Sequence, residues 1–180
     1  MHDAPRCERR PPVSSFYGKY RGVVADNIDP GQLGRVQVSV PAVLGEEISG
    51  WALPCVPFAG AQAGMWVVPA VGSNVWVEFE QGDPDLPIWT GGYWGSPGDM
   101  PPMALTVAPS VSHVVVQTTN QNLLSVSDAP CPAGGLLLKS ATGAMIAVNE
   151  TGIVISNGAG ASIVLTGPTV VVNDGALEVT

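Results

Sequence analysis

Positive charge is nearly missing from most of this chain. Of its 180 residues, those from 36 to 180 hold one base, Lys139, against eleven acids, a net charge of −10; residues 1–35 carry +2. So acidic a body excludes non-specific binding to phosphate backbones or anionic membrane surfaces, and no nucleic-acid partner is expected. Cysteine is scarce too. Cys7, Cys55 and Cys131 are far apart with no C-x-x-C spacing, which excludes a disulfide frame and a zinc site of the usual pattern. No apolar run reaches the length of a membrane helix, and the N-terminus, MHDAPRCERRPP, is polar and proline-rich. No signal peptide is read there, and assembly in the cytoplasm is expected. No stretch carries a convincing helical period, which leaves an all-β protein. The 22 glycines and 17 prolines punctuate short strands. No cofactor is expected, because no glycine-rich segment combines G-x-x-x-x-G-K with a following helix.

What is present is a repeat. From Gly135 onward, glycines 135, 143, 152, 160, 167 and 175 recur at steps of seven to nine residues. Behind each stand two large apolar residues spaced by two: Leu136 and Leu138, Ile146 and Val148, Ile153 and Ile155, Ile163 and Leu165, Val170 and Val172, Leu177 and Val179. Period two places each pair on one face of a strand. So short a repeat is the mark of a β-helix or solenoid. Six strands make only about two coils of a single-chain helix, fewer than the roughly three repeats such arrays need. One copy also leaves open sheet edges that invite another chain. Three copies winding together, each giving one wall of a prism, solve both problems. The twelve residues just named are then expected at the three-fold axis, and Leu137, Ala147, Val154, Val164, Val171 and Glu178 outside. The plainer alternative is half of a β-sandwich.

The first half alternates differently. A strand is expected over 16–25, ending at Asp26-Asn27-Ile28-Asp29-Pro30-Gly31, and another over 34–41 with Val36, Val38 and Val40 inward. A third, over 51–56, contains Pro54 and so belongs at an edge or bulge. Residues 59–64 are small and read as a loop. In the strand over 74–80, Val75, Val77 and Phe79 share one face, Trp76, Glu78 and Glu80 the other. A fifth strand covers 86–94. Five short strands fit a small barrel such as an OB-fold. Boundaries follow: an arm over 1–13, expected to be flexible, a barrel over 14–95, a proline-rich connector over 96–112, and the repeat region, with its entering strands, over 113–180.

Three motifs stand in order here: N-x-D-P at 27–30, G-R-V-x-V-x-V-P at 34–41 and F-E-x-G-D-P-x-x-P at 79–87. They resemble the OB-fold domain of contractile-tail spikes, the phage baseplate assembly protein V and VgrG proteins, over residues 17–95. The repeat behind them is the other half of that signature. The resemblance implies a homotrimer with OB barrels beneath a tail hub and a C-terminal needle that pierces the target envelope, in a phage virion or injection particle. It implies a mechanical role and no enzyme activity. No hub-like domain precedes the barrel, so a separate hub protein is expected. The tip His-x-His that binds iron in some phage spikes is missing, and no metal is expected. A small PAAR-type protein is the implied cap, with Asn173, Asp174, Gly175, Glu178 and Thr180 at the contact.

Three other sets of residues suggest chemistry. Glu78, Glu80, Asp83 and Asp85 could pair as glycosidase carboxylates, but their alternation and turn position read as structure. Ser112, His113 and Asp128 could suggest a triad, without a nucleophile elbow. Trp51, Trp66, Trp76, Trp89 and Trp94 could stack sugars or bases; packing against a hub or a neighbouring barrel fits them better. The alternative function is an OB-type glycan- or oligonucleotide-binding module on a trimerising stalk.

Overall fold

The computed structural model describes residues 15–131 and 134–179. The arm expected over 1–13 lies outside them. The chain divides into two compact units between Gly95 and Ser96.

The first unit is built on seven strands and one short helix. They are β1 (Tyr20–Asp26), β2 (Gln37–Ser39), α1 (Pro41–Leu44), β3 (Leu53–Pro54), β4 (Ala59–Gly60), β5 (Ala63–Gly64), β6 (Asn74–Phe79) and β7 (Pro87–Gly92). Five of them form one sheet in the order β2-β1-β6-β7-β3. The sheet closes on itself just outside its named strands. The Val36 amide donates to the Ala52 carbonyl at 3.2 Å, and the Ala52 amide donates to the Val36 carbonyl at 2.8 Å. Closure satisfies both open edges at once, which is how a small all-β unit avoids templating aggregation. Pro54 sits in β3 at the end of the sheet, where a missing N–H costs no ladder bond.

Alternation decides what goes inside. Val36, Val38 and Val40 are fully buried, as are Val75 and Val77, with Val24, Ala52, Phe79 and Trp89 completing the core. The Trp89 indole N–H donates to the Gly34 carbonyl at 3.1 Å, so its one polar atom is satisfied in the interior. Pro41 opens α1, where its fixed φ suits a helix start. The small residues 59–64, expected as a loop, form a two-stranded ribbon instead: β4 and β5 pair antiparallel. Alanine and glycine carry little strand propensity, and it is the tight turn that brings their backbones into register. The first strand begins at Tyr20, later than the sequence suggests; the Phe16 amide donates to the Gly82 carbonyl, outside the ladder.

The second unit is a single antiparallel meander. Its strands are β8 (His113–Gln117), β9 (Leu123–Ser127), β10 (Gly135–Lys139), β11 (Met145–Asn149), β12 (Gly152–Ser156), β13 (Ser162–Thr166), β14 (Thr169–Val172) and β15 (Leu177–Val179). Each pairs with its sequence neighbour, with no register shift along the ladder. Within one chain the repeats therefore stack as hairpins and not as the coils of a single-chain helix. Among the described residues, no helix is long and apolar enough to cross a membrane.

Candidate functional site

The meander register sorts its aliphatic residues into two files on one face. One file runs Val116, Leu124, Leu138, Ile146, Ile155, Ile163, Val172, Leu177. The other runs Val114, Val126, Leu136, Val148, Ile153, Leu165, Val170, Val179. All twelve residues expected at an axis are in these files. Four more, Val114, Val116, Leu124 and Val126, extend them upward. These were missed because no glycine precedes them, although their period-two spacing was visible. Every position in both files is Val, Leu or Ile. In the single chain much of this face is bare: Val116 is 59% exposed, Leu138 50% and Ile155 42%. A contiguous apolar surface of this kind marks an interface.

The other face is distinct. Its middle file runs Val115, Ser125, Leu137, Ala147, Val154, Val164, Val171 and Glu178. At its upper end the chain covers itself. The turn Pro102–Leu105 packs against β8, and Ser125 and Ser127 are buried. So it is the face opposite the two aliphatic files that the preceding segment shields, leaving those files free. His113 lies on this shielded face. Its Nε2 is 2.9 Å from the Ser125 hydroxyl. Ser112 instead accepts the Asp128 amide through its backbone carbonyl. Among the described residues no hydrogen bond joins Ser112, His113 and Asp128 as a triad.

At the β14–β15 turn, Asn173 and Asp174 both adopt left-handed φ values, 50° and 53°. The Asn173 side-chain oxygen accepts the Ser162 amide at 3.0 Å, tying the turn to β13. Asp174 is exposed. Gly175 and Glu178 belong to the same end of the ladder, and Thr180 lies outside the described residues.

In the barrel, the other residues singled out are dispersed. Glu78 pairs with Lys19 at 3.0 Å, and Lys19 also donates to Thr90. Asp83 accepts the Asp85 amide. Trp76 packs on Tyr93 with Arg21 over both rings. Trp51 carries Arg35. The tryptophans do not form one platform. Trp66 and Trp89 do line a common apolar groove of about 390 Å³ with Leu33, Phe58 and Met65. No ionisable side chain lines it. Phe58 is 57% exposed and Trp66 69%.

One electrostatic cluster organises the 27–35 loop. The Arg35 guanidinium donates to Asp29 at 2.6 Å, and the Gly31 and Leu33 amides donate to the same carboxylate at 2.8 Å. The Arg35 hydrogen bond holds the Asp29 carboxyl well below the usual carboxylate range. The backbone amides add to this, while burial opposes it. Arg35 is raised in turn by the same bond. Cys55 and Cys131 are free thiols. Among the described residues no group of three His, Cys, Asp or Glu is placed to hold a metal.

Comparison with known proteins bears on both units. Residues 20–94 match the type VI secretion system/phage-baseplate injector OB domain. Residues 113–178 match the phage baseplate V C-terminal trimerisation domain. The second match begins at β8, as the two aliphatic files do. A curated relative, the type VI secretion system spike protein VgrG3 of Vibrio cholerae serotype O1, is 38% identical over 74 residues. That alignment covers 39% of this chain but only 7% of the relative.

Proposed function

This chain belongs to the baseplate V/VgrG-type spike family of phage tails and type VI secretion systems, and on that premise we propose that it is the central spike of a contractile particle. Three copies associate through the two aliphatic files of the second unit. Each contributes one wall, and the sheet edges that a lone chain would expose are taken up in the assembly. The barrels attach to a hub or baseplate protein. The apolar groove, with Phe58, Met65 and Trp66 on its rim, suits such a contact, since exposed aromatic and Met side chains anchor protein interfaces. The needle pierces the target envelope mechanically, with no bond made or broken, and a PAAR-type protein caps the β15 end. Assembly takes place in the bacterial cytoplasm before incorporation into the particle.

The observation that carries this reading is the unbroken register of branched aliphatic residues on one largely exposed face, from Val114 to Leu177. Native mass by light scattering tests it. The expected species is a trimer of the 18.5 kDa chain. Ile155→Asp with Ile163→Asp places charges in one file, and these variants should lose the trimer. A stable wild-type monomer would sink the reading.

A further inference from the structure

Charge is sparse in the meander, and the register separates its signs. From Val114 to Asn173 the charged residues are Asp128, Lys139 and Glu150. All three are exposed. None enters an ion pair among the described residues, where Lys19–Glu78 and Arg35–Asp29 are the pairs formed, both in the barrel. Lys139 closes β10 on one lateral edge of the sheet, level with Leu123 of β9 and Met145 of β11. Glu150 lies on the opposite edge, in the turn between the paired Asn149 and Gly152. Asp128 follows Ser127 on that same opposite edge, at the close of β9. Four residues of strand, about 14 Å, separate the two edges, beyond the reach of an ion pair within the chain.

A three-fold assembly brings these edges together. Where each copy gives one wall of a prism, every corner joins one lateral edge of a copy to the opposite edge of the next, a heterologous contact repeated around the axis. The corner that carries Lys139 therefore receives the next copy's Glu150 and Asp128. Glu150 stands about one and a half strand spacings from β10 along the axis, about 7 Å, within the combined span of an extended lysine and a glutamate. Its turn is fixed, because the Asn149 side-chain oxygen accepts the Thr151 amide at 2.9 Å and the Thr151 hydroxyl at 2.7 Å. Asp128 has the shorter side chain. Its amide donates to the Ser112 carbonyl at 3.0 Å, which draws its turn toward β8 and away from β10.

We propose that Lys139 of each copy pairs with Glu150 of the next, and that this corner pair decides which edges of the walls meet. The inference rests on the trimeric-spike reading, since only that assembly sets opposite edges side by side. The aliphatic files cannot make the choice, because every position in them is Val, Leu or Ile and one such surface suits another. Charge can. An arrangement in which like edges meet sets Lys139 against Lys139, or Glu150 against Glu150, and is disfavoured by repulsion as well as by the lost pair.

The test uses the full chain. Light scattering first reports the native mass. A carbodiimide, which joins an amine directly to a carboxylate it touches, is then added. Lys139 should link to Glu150 of another copy and give covalent trimers on a denaturing gel. The Lys19–Glu78 pair, at 3.0 Å, should link within each chain and reports that the reagent works. Lys139→Gln should remove the covalent trimer. Lys139→Glu gathers like charges at each corner and should lower the association constant by about tenfold, three exposed pairs acting together. The swap Lys139→Glu with Glu150→Lys should restore most of that loss. A native trimer without a Lys139 link between copies overturns the pair and leaves the spike reading intact, whereas a native monomer overturns both. A link from Lys139 to Asp128, located by peptide mapping, overturns the assignment to Glu150. A swapped variant that associates no better than Lys139→Glu alone overturns it as well, since the two sites would then act independently.

Discussion

At the scale of single residues, two positions carry more than their size suggests. Gly152 begins β12 with φ +144°, and a Cβ there would collide with the Leu165 carbonyl oxygen on the neighbouring strand. Gly152→Ala should therefore destabilise the sheet by roughly 2–4 kcal/mol, from strain and forced separation of the strands. Chemical denaturation at fixed protein concentration checks this, because an oligomer's apparent stability depends on concentration. Asp29 is the second. Its carboxyl is depressed by Arg35 and by loop amides. A depressed carboxylate adds stability that is present above its unfolded value, near 3.9, and is lost as pH falls toward the folded value. Asp29→Asn should lower the melting temperature at neutral pH, with the gap from wild type narrowing below about pH 4. A gap that stayed constant to pH 2 would count against the ion pair as the cause.

At the scale of elements, the same alternation serves two ends. In β6 it splits the residues between a core, with Val75, Val77 and Phe79 buried, and a surface bearing Trp76 and Glu78. In the meander it splits them between two faces that a single chain cannot bury. The consequences differ on the two sides of β6 and β7. Trp89→Phe removes the donor to the Gly34 carbonyl inside the barrel, and should cost about 1–3 kcal/mol in urea unfolding. Glu78→Gln breaks a surface pair with Lys19, both partners well exposed, and should cost less than about 1 kcal/mol. If the two variants were equally destabilised, the assignment of β6 and β7 faces would be wrong. The barrel strands were legible because buried Val alternates with polar residues over several positions. The ribbon of β4 and β5 was not, because Ala and Gly carry no pattern and their pairing is a product of the turn.

At the scale of the whole molecule, the chain joins a unit that closes upon itself to one that does not. The barrel uses up its edges through the Val36–Ala52 bonds and buries its own core. The meander satisfies its backbone along the ladder and leaves two files of aliphatic side chains, many of them exposed, on one face. Removing residues 113–180 should abolish the trimer expected in light scattering. A trimer that survived would place the association in the barrels.

By itself the sequence determined the all-β class, the inward valines of the barrel and the twelve paired aliphatic positions of the repeat. Each follows from a period of two, a local property of strand geometry. The family resemblance rested on motifs that are equally local. Only the tertiary structure decided that the repeats pair as a meander, that Val114, Val116, Leu124 and Val126 continue the two files, and that the preceding segment shields the opposite face. It also dispersed the tryptophans and carboxylates that the sequence alone could have gathered into a site. The reason is physical: periodicity states which residues share a face, but register and packing state which faces meet, and those depend on contacts between residues far apart in the chain.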